Sequence, residues 1–266
     1  RGSIPFTFAK RVDKGKIPEG LLFTPVVKCK MEDFQLMSYN DTVKNFDDSL
    51  SKTSSAASNF VFPGLDSQKK KVIGYYSTDG MNRVVSQFSN EKENLMKLIN
   101  KQLFNDKLSK EDKRNFMFEN DNKTINGLIL NLKYLKMFSI KFYKCISRLS
   151  KLVEGYKGTG TAFVYSNLVK AGGMEIFADA LVENGYLEYQ ENPNDYDIKE
   201  NTIDYRTGKT YSQLQKEGNL SDFKPATFLL VTGGTDDSGE DIPEIKQKII
   251  RDVFNNSSNK NGKYLK

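Results

Sequence analysis

Two groups of small polar residues lie where they could donate hydrogen bonds to a phosphate. Ser166-Asn167 directly follow the apolar run Ala162–Tyr165, and Gly233-Gly234-Thr235 follow the run Phe228–Thr232. Backbone N–H groups, hydroxyls and amides near helix N-termini suit the oxygens of a nucleic-acid backbone. If both runs are strands of one parallel sheet, the two groups lie at the same sheet edge. The pattern predicts a phosphate-contacting edge, although these residue types are common at such places in many α/β domains.

Each polar group is followed by an amphipathic helix. Gly172-Gly173 opens a predicted helix over 173–184, and Pro243 suits the first turn of another over 242–254. An apolar run that feeds a helix, repeated along the chain, is the building unit of a parallel sheet. The sequence therefore predicts an α/β fold with parallel strands.

Further elements are predicted around that sheet. Apolar residues at helical spacing predict helices over 31–43, 93–104 and 131–153, and Ser109 suits the capped start of another turn. The segment Ile203–Tyr211 predicts a hairpin that turns at Thr207-Gly208. Phe60–Pro63 predicts a compact apolar anchor.

Two motifs look like ligand-binding loops, but their surroundings are wrong. Gly208-Lys209-Thr210 ends like a Walker A loop, yet Ile203 occupies the place of its first glycine and a polar segment precedes it. The acidic stretch 236–241 lacks the spacing of a calcium loop, and its charges precede a helix that they would stabilise without a metal. We therefore predict no metal site and no catalytic residue in this chain.

Histidine is absent from all 266 residues, and the two cysteines are Cys29 and Cys145. This composition excludes a Ser-His-Asp triad, a Cys-His pair and His-ligated zinc within the chain. Two thiols make no disulfide framework, which favours a reducing compartment. Any catalysis would rely on carboxylates, lysines, hydroxyls or a nucleotide.

Positive charge is concentrated in the first part of the chain. Residues 1–150 carry 26 Lys and Arg against 16 Asp and Glu, whereas residues 151–266 carry 14 against 18. A basic surface suggests a polyanionic partner. The lysine-rich face of the predicted helix 131–153 either touches phosphate or is a solvated surface. No apolar run approaches the roughly 20 residues that span a bilayer.

Several short motifs are spread over nearly the whole chain, with divergent stretches between them. They are Arg1-Gly2-Ser3, Met31 with Gln35 and Tyr39, Ser58–Pro63 (SNFVFP), Ser139–Phe142 before the strand TAFVYS, and Thr232–Thr235 before Asp252–Asn255. Their order resembles that in the superfamily 2 helicases of large cytoplasmic DNA viruses, which are related to the poxvirus early transcription factor and nucleoside triphosphate phosphohydrolase.

The resemblance implies the second motor domain of a helicase, a RecA-like (P-loop NTPase-type) parallel-sheet domain with a helical insertion, incomplete at both ends. It divides the chain into a lead-in or linker (1–63), a polar, partly helical insertion (64–130) and the motor domain (131–266), which has its own insertion (190–225). It also implies a set of residues that contact nucleic acid: Ser166, Asn167, Lys170, Gly233, Gly234 and Thr235.

In such a helicase ATP and Mg²⁺ would be held mostly outside this chain, because the family's Walker A and B motifs belong to the first motor domain. The expected partners are a DNA or RNA backbone, the first motor domain and a viral RNA polymerase, with no membrane. The expected location is the virion or the host cytoplasm. Two alternatives remain open: a non-catalytic α/β scaffold module of a transcription or packaging complex, and a small-molecule transferase with a Rossmann-like sheet.

Overall fold

A computed structural model describes residues 27–45, 52–120, 124–154, 161–232 and 242–256. The helices in these ranges are α1 (Asp33–Asn45), α2 (Lys52–Asn59), α3 (Ser77–Phe104), α4 (Lys110–Asn115), α5 (Leu132–Phe138), α6 (Ile140–Val153), α7 (Met174–Glu183), α8 (Tyr211–Lys216) and α9 (Glu244–Ile249). The strands are β1 (Phe62–Leu65), β2 (Val72–Tyr75), β3 (Phe118–Asn120), β4 (Thr124–Asn126), β5 (Leu187–Glu188) and β6 (Thr227–Phe228). Short 3-10 turns cover Leu128–Leu130 and Pro193–Asp195.

The first hairpin packs against the long helix α3. β1 and β2 pair antiparallel, with Phe62 opposite Tyr75. α3 runs for 28 residues against both strands and buries Val84 and Leu95 in the core. The sequence predicted only its second part, 93–104. Its first part is rich in Ser, Asn and Gly, which favour helices weakly, and Glu91 interrupts the regular geometry.

The predicted helix 131–153 is in fact two helices. α5 ends at Phe138 and α6 begins at Ile140, because Ser139 between them has an extended backbone (φ −154°, ψ 97°). The hydroxyl of Ser139 accepts a hydrogen bond from the Phe142 amide (3.1 Å) and caps α6. The predicted apolar stripe continues across the break, since Leu135, Phe138 and Phe142 are all buried.

Parallel pairing is much less extensive than predicted. β5 and β6 pair parallel over two residues each, with Leu187 opposite Thr227. The predicted strand Phe228–Thr232 is reduced to Thr227–Phe228. The other two sheets in the described ranges are antiparallel hairpins. The protein is mixed α/β, and a RecA-like parallel sheet is not seen among the residues described.

The prediction of a buried strand at Ala162–Tyr165 is wrong. The segment belongs to no strand, and the Phe163 and Tyr165 side chains are 91% and 78% exposed. Of Phe163, Val164 and Tyr165, Val164 alone packs against the core. A continuous apolar run indicates a buried strand only if both of its faces are covered, and here one face is open.

One hydrophobic core joins described residues from Phe34 to Ala226. A chain of aromatic rings crosses it, with centroid separations of 4.8 Å (Phe62–Phe60), 5.9 Å (Phe60–Phe142) and 5.1 Å (Phe142–Phe177). Tilted and edge-to-face pairs of this kind are favourable. They connect β1 to α6 and α7. The described parts of 64–130 and 131–266 share this core, and the domain boundaries stay predictions.

Most other predicted elements are confirmed. The helices predicted over 31–43 and 173–184 are α1 and α7, and the one over 242–254 is α9 continued by a π-helical turn. The Ser109 hydroxyl caps α4 by accepting from the Asp112 amide. A bridge between Ile203 and Thr210 closes the predicted turn.

Several predictions fall on residues outside the described ranges. They concern Gly233, Gly234 and Thr235 of the expected site, the acidic stretch 236–241, and residues 1–26 and 46–51 of the lead-in 1–63. Within the described ranges, the helices all lack the length and apolar character that crossing a bilayer requires.

Candidate functional site

The loop before α7 is fixed by its own backbone. The amides of Met174 and Glu175, the first two residues of α7, donate to the carbonyl oxygens of Leu168 (2.9 Å) and Val169 (3.0 Å). The first amides of a helix have no partner inside the helix, and here the preceding loop supplies one. These two N–H groups are therefore not available to an external phosphate.

Ser166 and Asn167 are two polar residues at the start of this loop. The Ser166 oxygen accepts a hydrogen bond from the Leu168 amide at 3.1 Å, which turns the chain and leaves the hydroxyl proton as a donor. Asn167 is exposed. The loop thus offers a hydroxyl and a carboxamide to a ligand.

Two glycines allow the loop to pack closely. Gly172 has a left-handed backbone (φ +88°) and lies against Phe60. At Gly173 a Cβ atom would collide with the backbone of Leu168 and Val169. Glycine is therefore needed at both positions of the predicted helix opening. The backbone conformation requires it at Gly172, and the lack of space requires it at Gly173.

A buried glutamine connects α1 to α2 and α6. Gln35 is fully buried, and its amide nitrogen donates to the carbonyl oxygens of Ala57 (3.3 Å) and Ser58 (3.2 Å). Its amide oxygen accepts from the Ile140 backbone N–H at 3.1 Å. Buried polar groups stabilise a unique arrangement only when they are satisfied, and both ends of this side chain are.

Asn59 and Ser139 extend this network to the loop. The Asn59 side-chain amide donates to the Gly172 carbonyl oxygen, and the Ser139 hydroxyl donates to the Asn59 carbonyl oxygen. We call Gln35, Asn59 and Ser139 the polar network. All three belong to the motifs that carry the resemblance, so residues far apart in sequence meet at one place and position the 166–173 loop.

A cleft of about 370 Å³ lies between α2, α6 and this loop. Its lining combines one ammonium group with hydroxyl and amide groups, a thiol and apolar side chains, and it includes no carboxylate among the described residues. The lining residues are Ser55, Asn59, Lys141, Phe142, Cys145, Val164, Tyr165, Ser166, Asn167, Leu168, Met174 and Phe177.

Lys141 supplies the positive charge of the cleft. Its Nζ donates to the Ser58 hydroxyl oxygen at 2.9 Å, and that hydroxyl donates in turn to the Ser55 carbonyl oxygen at 2.9 Å. Burial lowers the pKa of Lys141, and the neighbouring Cys29 offsets part of this effect. Lys141 is only partly removed from water and has no carboxylate partner among the described residues, so an anion that binds beside it would stabilise its charge.

The structure brings together only part of the predicted site. Ser166 and Asn167 line the cleft, and Lys170 is exposed on the same loop without lining it. The sequence did not place Lys141 or Ser55 in the site. Lys141 lies within the Ser139–Phe142 motif, so the order of the motifs was the signal that could have found it.

The lysine-rich face of 131–153 is partly neutralised. Lys133 forms an ion pair with Asp112 (2.9 Å), and Lys136 forms one with Glu32. The hydrogen bond from Lys133 lowers the pKa of Asp112. Lys144 donates to the Lys28 carbonyl oxygen at 2.6 Å. The face is therefore not a continuous phosphate-binding stripe.

The Walker-like tripeptide is part of a structural turn. The Lys209 ammonium contacts both carboxylate oxygens of Glu217 (2.7 and 2.8 Å), and the Gly208 amide donates to the Asp204 carbonyl oxygen (2.9 Å). Thr210 caps α8. Within the described ranges, no three or more acidic or cysteine side chains cluster so as to hold a metal ion. The tripeptide is therefore not placed to bind a phosphate as a Walker A loop does.

The chain is similar to a protein of Acanthamoeba polyphaga mimivirus that is named "Putative ATP-dependent RNA helicase". The two are 45% identical over 273 aligned residues, which include the whole of this chain and 24% of the mimivirus protein. The chain thus spans about a quarter of the length of this relative. No protein-family model matches the chain, and no solved structure matches it. The similarity supports kinship with viral helicases.

Proposed function

We propose that this chain is the second motor domain of an ATP-dependent viral helicase or translocase of superfamily 2, and that its cleft grips a nucleic-acid backbone. The observation that carries the proposal is the cleft itself, where Lys141, Ser166 and Asn167 converge and the described lining has no carboxylate. A lysine ammonium beside hydroxyl and amide donors, with no carboxylate in the described lining, suits phosphate oxygens.

The mimivirus relative supports the wider part of this proposal. Its printed name describes an ATP-dependent RNA helicase, and about a quarter of its length aligns with the whole of this chain. In our proposal the chain acts within a longer protein, in which ATP and Mg²⁺ are held mainly by a first motor domain. Alone, the chain would hydrolyse no ATP. The RecA-like architecture and the domain limits at 63/64 and 130/131 belong to the same proposal.

The cleft would bind the backbone through the charge of Lys141 and through the positions of its hydrogen-bond donors. Lys141 would donate to a non-bridging phosphate oxygen, and binding of that anion would raise its lowered pKa. The Ser166 hydroxyl and the Asn167 amide would fix the neighbouring oxygens, and the polar network would hold the loop in place. Phosphate contacts carry no base information, so binding would tolerate any sequence. Lys170, Gly233, Gly234 and Thr235 would extend the same contact surface.

In a virus this grip would serve transcription or genome handling. We propose the virion or the host cytoplasm as the place of action and a viral RNA polymerase as a further partner. RNA is the first ligand to test, because the relative's name specifies it.

Binding of a labelled oligouridylate of about 12 nucleotides to the chain, followed by fluorescence anisotropy, tests the proposal. We expect weak binding that falls steeply as salt rises. The double variant Ser166→Ala with Asn167→Ala should weaken it about tenfold, because two hydrogen bonds to phosphate are lost. The control variant Lys216→Gln, an exposed lysine outside the cleft, should leave it unchanged.

Salt-insensitive or absent binding would overturn the proposal and favour a scaffold module. A thermal shift of the chain with a dinucleotide would instead favour the small-molecule transferase, for which the described residues offer no dedicated phosphate loop.

A further inference from the structure

Phe163 and Tyr165 are the most exposed large hydrophobic side chains among the described residues, at 91% and 78%. They alternate with Val164, which packs against the core. In an extended chain side chains alternate between two faces, so the two rings lie on one face and Val164 anchors the other. The segment thus presents two aromatic rings to solvent, one on each side of Val164, which packs against the core.

The rings lie beside the cationic cleft. Val164 and Tyr165 line it together with Lys141, Ser166 and Asn167. Phe163 lies two residues before Tyr165, about 7 Å along an extended chain. A ligand whose phosphates occupy the cleft would therefore bring its next groups over these rings.

We propose that Phe163 and Tyr165 form a stacking platform for the bases of a single-stranded nucleic acid. The proposal rests on the function proposed above and adds a contact to bases. Aromatic rings beside a positively charged groove are what single-strand binding surfaces combine, because every base has a face that can stack. The separation of the rings lets each one take a different base, and stacking keeps the binding independent of sequence.

The charge of the cleft favours this ligand over a protein partner. Lys141 has a hydroxyl rather than a carboxylate as its partner, and the described lining residues include no acid. A purely apolar docking site would gain nothing from an ammonium group in its lining. A polyanion with aromatic bases satisfies both the ammonium and the rings.

The decisive comparison uses two ligands of equal charge, oligouridylate and an abasic oligonucleotide of the same length. The parent chain should bind oligouridylate more tightly. Phe163→Ala with Tyr165→Ala should weaken oligouridylate binding by about tenfold or more and leave abasic binding unchanged. Both side chains are solvent-exposed, so the variant should keep the fold, which circular dichroism would verify.

A spectroscopic test exploits the absence of tryptophan from the sequence. Phe163→Trp would introduce a single indole on the platform, and oligouridylate should quench its fluorescence. The abasic oligonucleotide should quench it little. Phe118→Trp, at an exposed position on β3 outside the cleft, is the matched control and should respond to neither ligand.

The outcomes separate the two proposals. If the parent binds neither ligand, the proposed function fails and the platform fails with it. If it binds both ligands equally, or if the double alanine variant binds oligouridylate as the parent does, the platform alone is overturned. The platform is also overturned if oligouridylate quenches the indole at position 163 no more than the one at position 118.

Discussion

The side-chain amide of Asn59 donates a hydrogen bond to the carbonyl oxygen of Gly172, across 113 positions of the chain. This contact joins the end of α2 to the loop that carries Ser166 and Asn167. Asn59 is also held from its other side, because its carbonyl oxygen accepts from the Ser139 hydroxyl. The position of the loop therefore depends on a hydrogen bond between residues that no local sequence pattern relates.

Removal of this contact should loosen the loop. Asn59→Ala leaves the buried Gly172 carbonyl oxygen without its partner, and we expect the free energy of unfolding to fall by about 1–3 kcal/mol. Urea denaturation measures the loss, and hydrogen exchange should show faster exchange of the Met174 and Glu175 amides. The exposed residue Asn219 offers a control, since Asn219→Ala should change neither quantity. Equal stability of the two variants would contradict the role of Asn59.

Two glycines separate the effect of space from that of backbone conformation. Gly173 has no room for a Cβ atom, whereas Gly218 has a left-handed backbone (φ +71°) with nothing within 4 Å of its Cβ position. We expect Gly173→Ala to cost about 1–3 kcal/mol and to weaken oligouridylate binding, because the loop must shift. Gly218→Ala should cost about 1 kcal/mol and leave binding intact. Thermal unfolding and anisotropy measure the two effects, and intact binding by the Gly173 variant would refute the link between loop packing and the cleft.

Much of the fold followed from the sequence where helical periodicity was strong. α1, α7 and α9 were predicted because their apolar faces repeat at helical spacing. The break at Ser139 was not, because the Ser139 side chain also bonds to Asn59, 80 positions away. The prediction of a buried strand at Ala162–Tyr165 was wrong because both aromatic rings of the segment are exposed. Tertiary packing decided both cases.

The site shows the same division between local and distant information. Ser166 and Asn167 were predicted as site residues from their place after an apolar run, and both line the cleft. Lys141 joins them only because α6 packs beside their loop, and the sequence placed it merely on a basic helix face. Lys170 was predicted with the site and lies outside the cleft lining.

Stability should depend on pH through Asp179. Burial, with a smaller contribution from the charge of Glu175, raises the pKa of Asp179 from 3.8 to about 6. The folded state thus holds this proton more tightly than the unfolded state does. The stabilisation that comes from this bound proton is fully present below pH 4 and is lost as the pH rises from about 4 to 6.

Asp179→Asn should therefore stabilise the chain by about 1–3 kcal/mol at pH 7 and by much less near pH 4. Urea denaturation at the two pH values measures the difference. Asp197→Asn, at an exposed position, should have little effect at either pH. If the Asp179 variant and the parent have the same free energy of unfolding at pH 7, burial of the Asp179 carboxylate does not destabilise the fold, and the prediction is wrong.

The most direct test of the phosphate grip is the salt dependence of oligouridylate binding by Lys141→Gln. Each phosphate neutralised on a single strand contributes about −0.7 to the slope of log affinity against log salt concentration. We predict that the slope of the Lys141 variant is shallower than that of the parent by about 0.7, whereas the slope of Lys216→Gln is unchanged. An unchanged slope for Lys141→Gln would mean that no phosphate is bound at this lysine, and it would contradict the proposed function of the cleft.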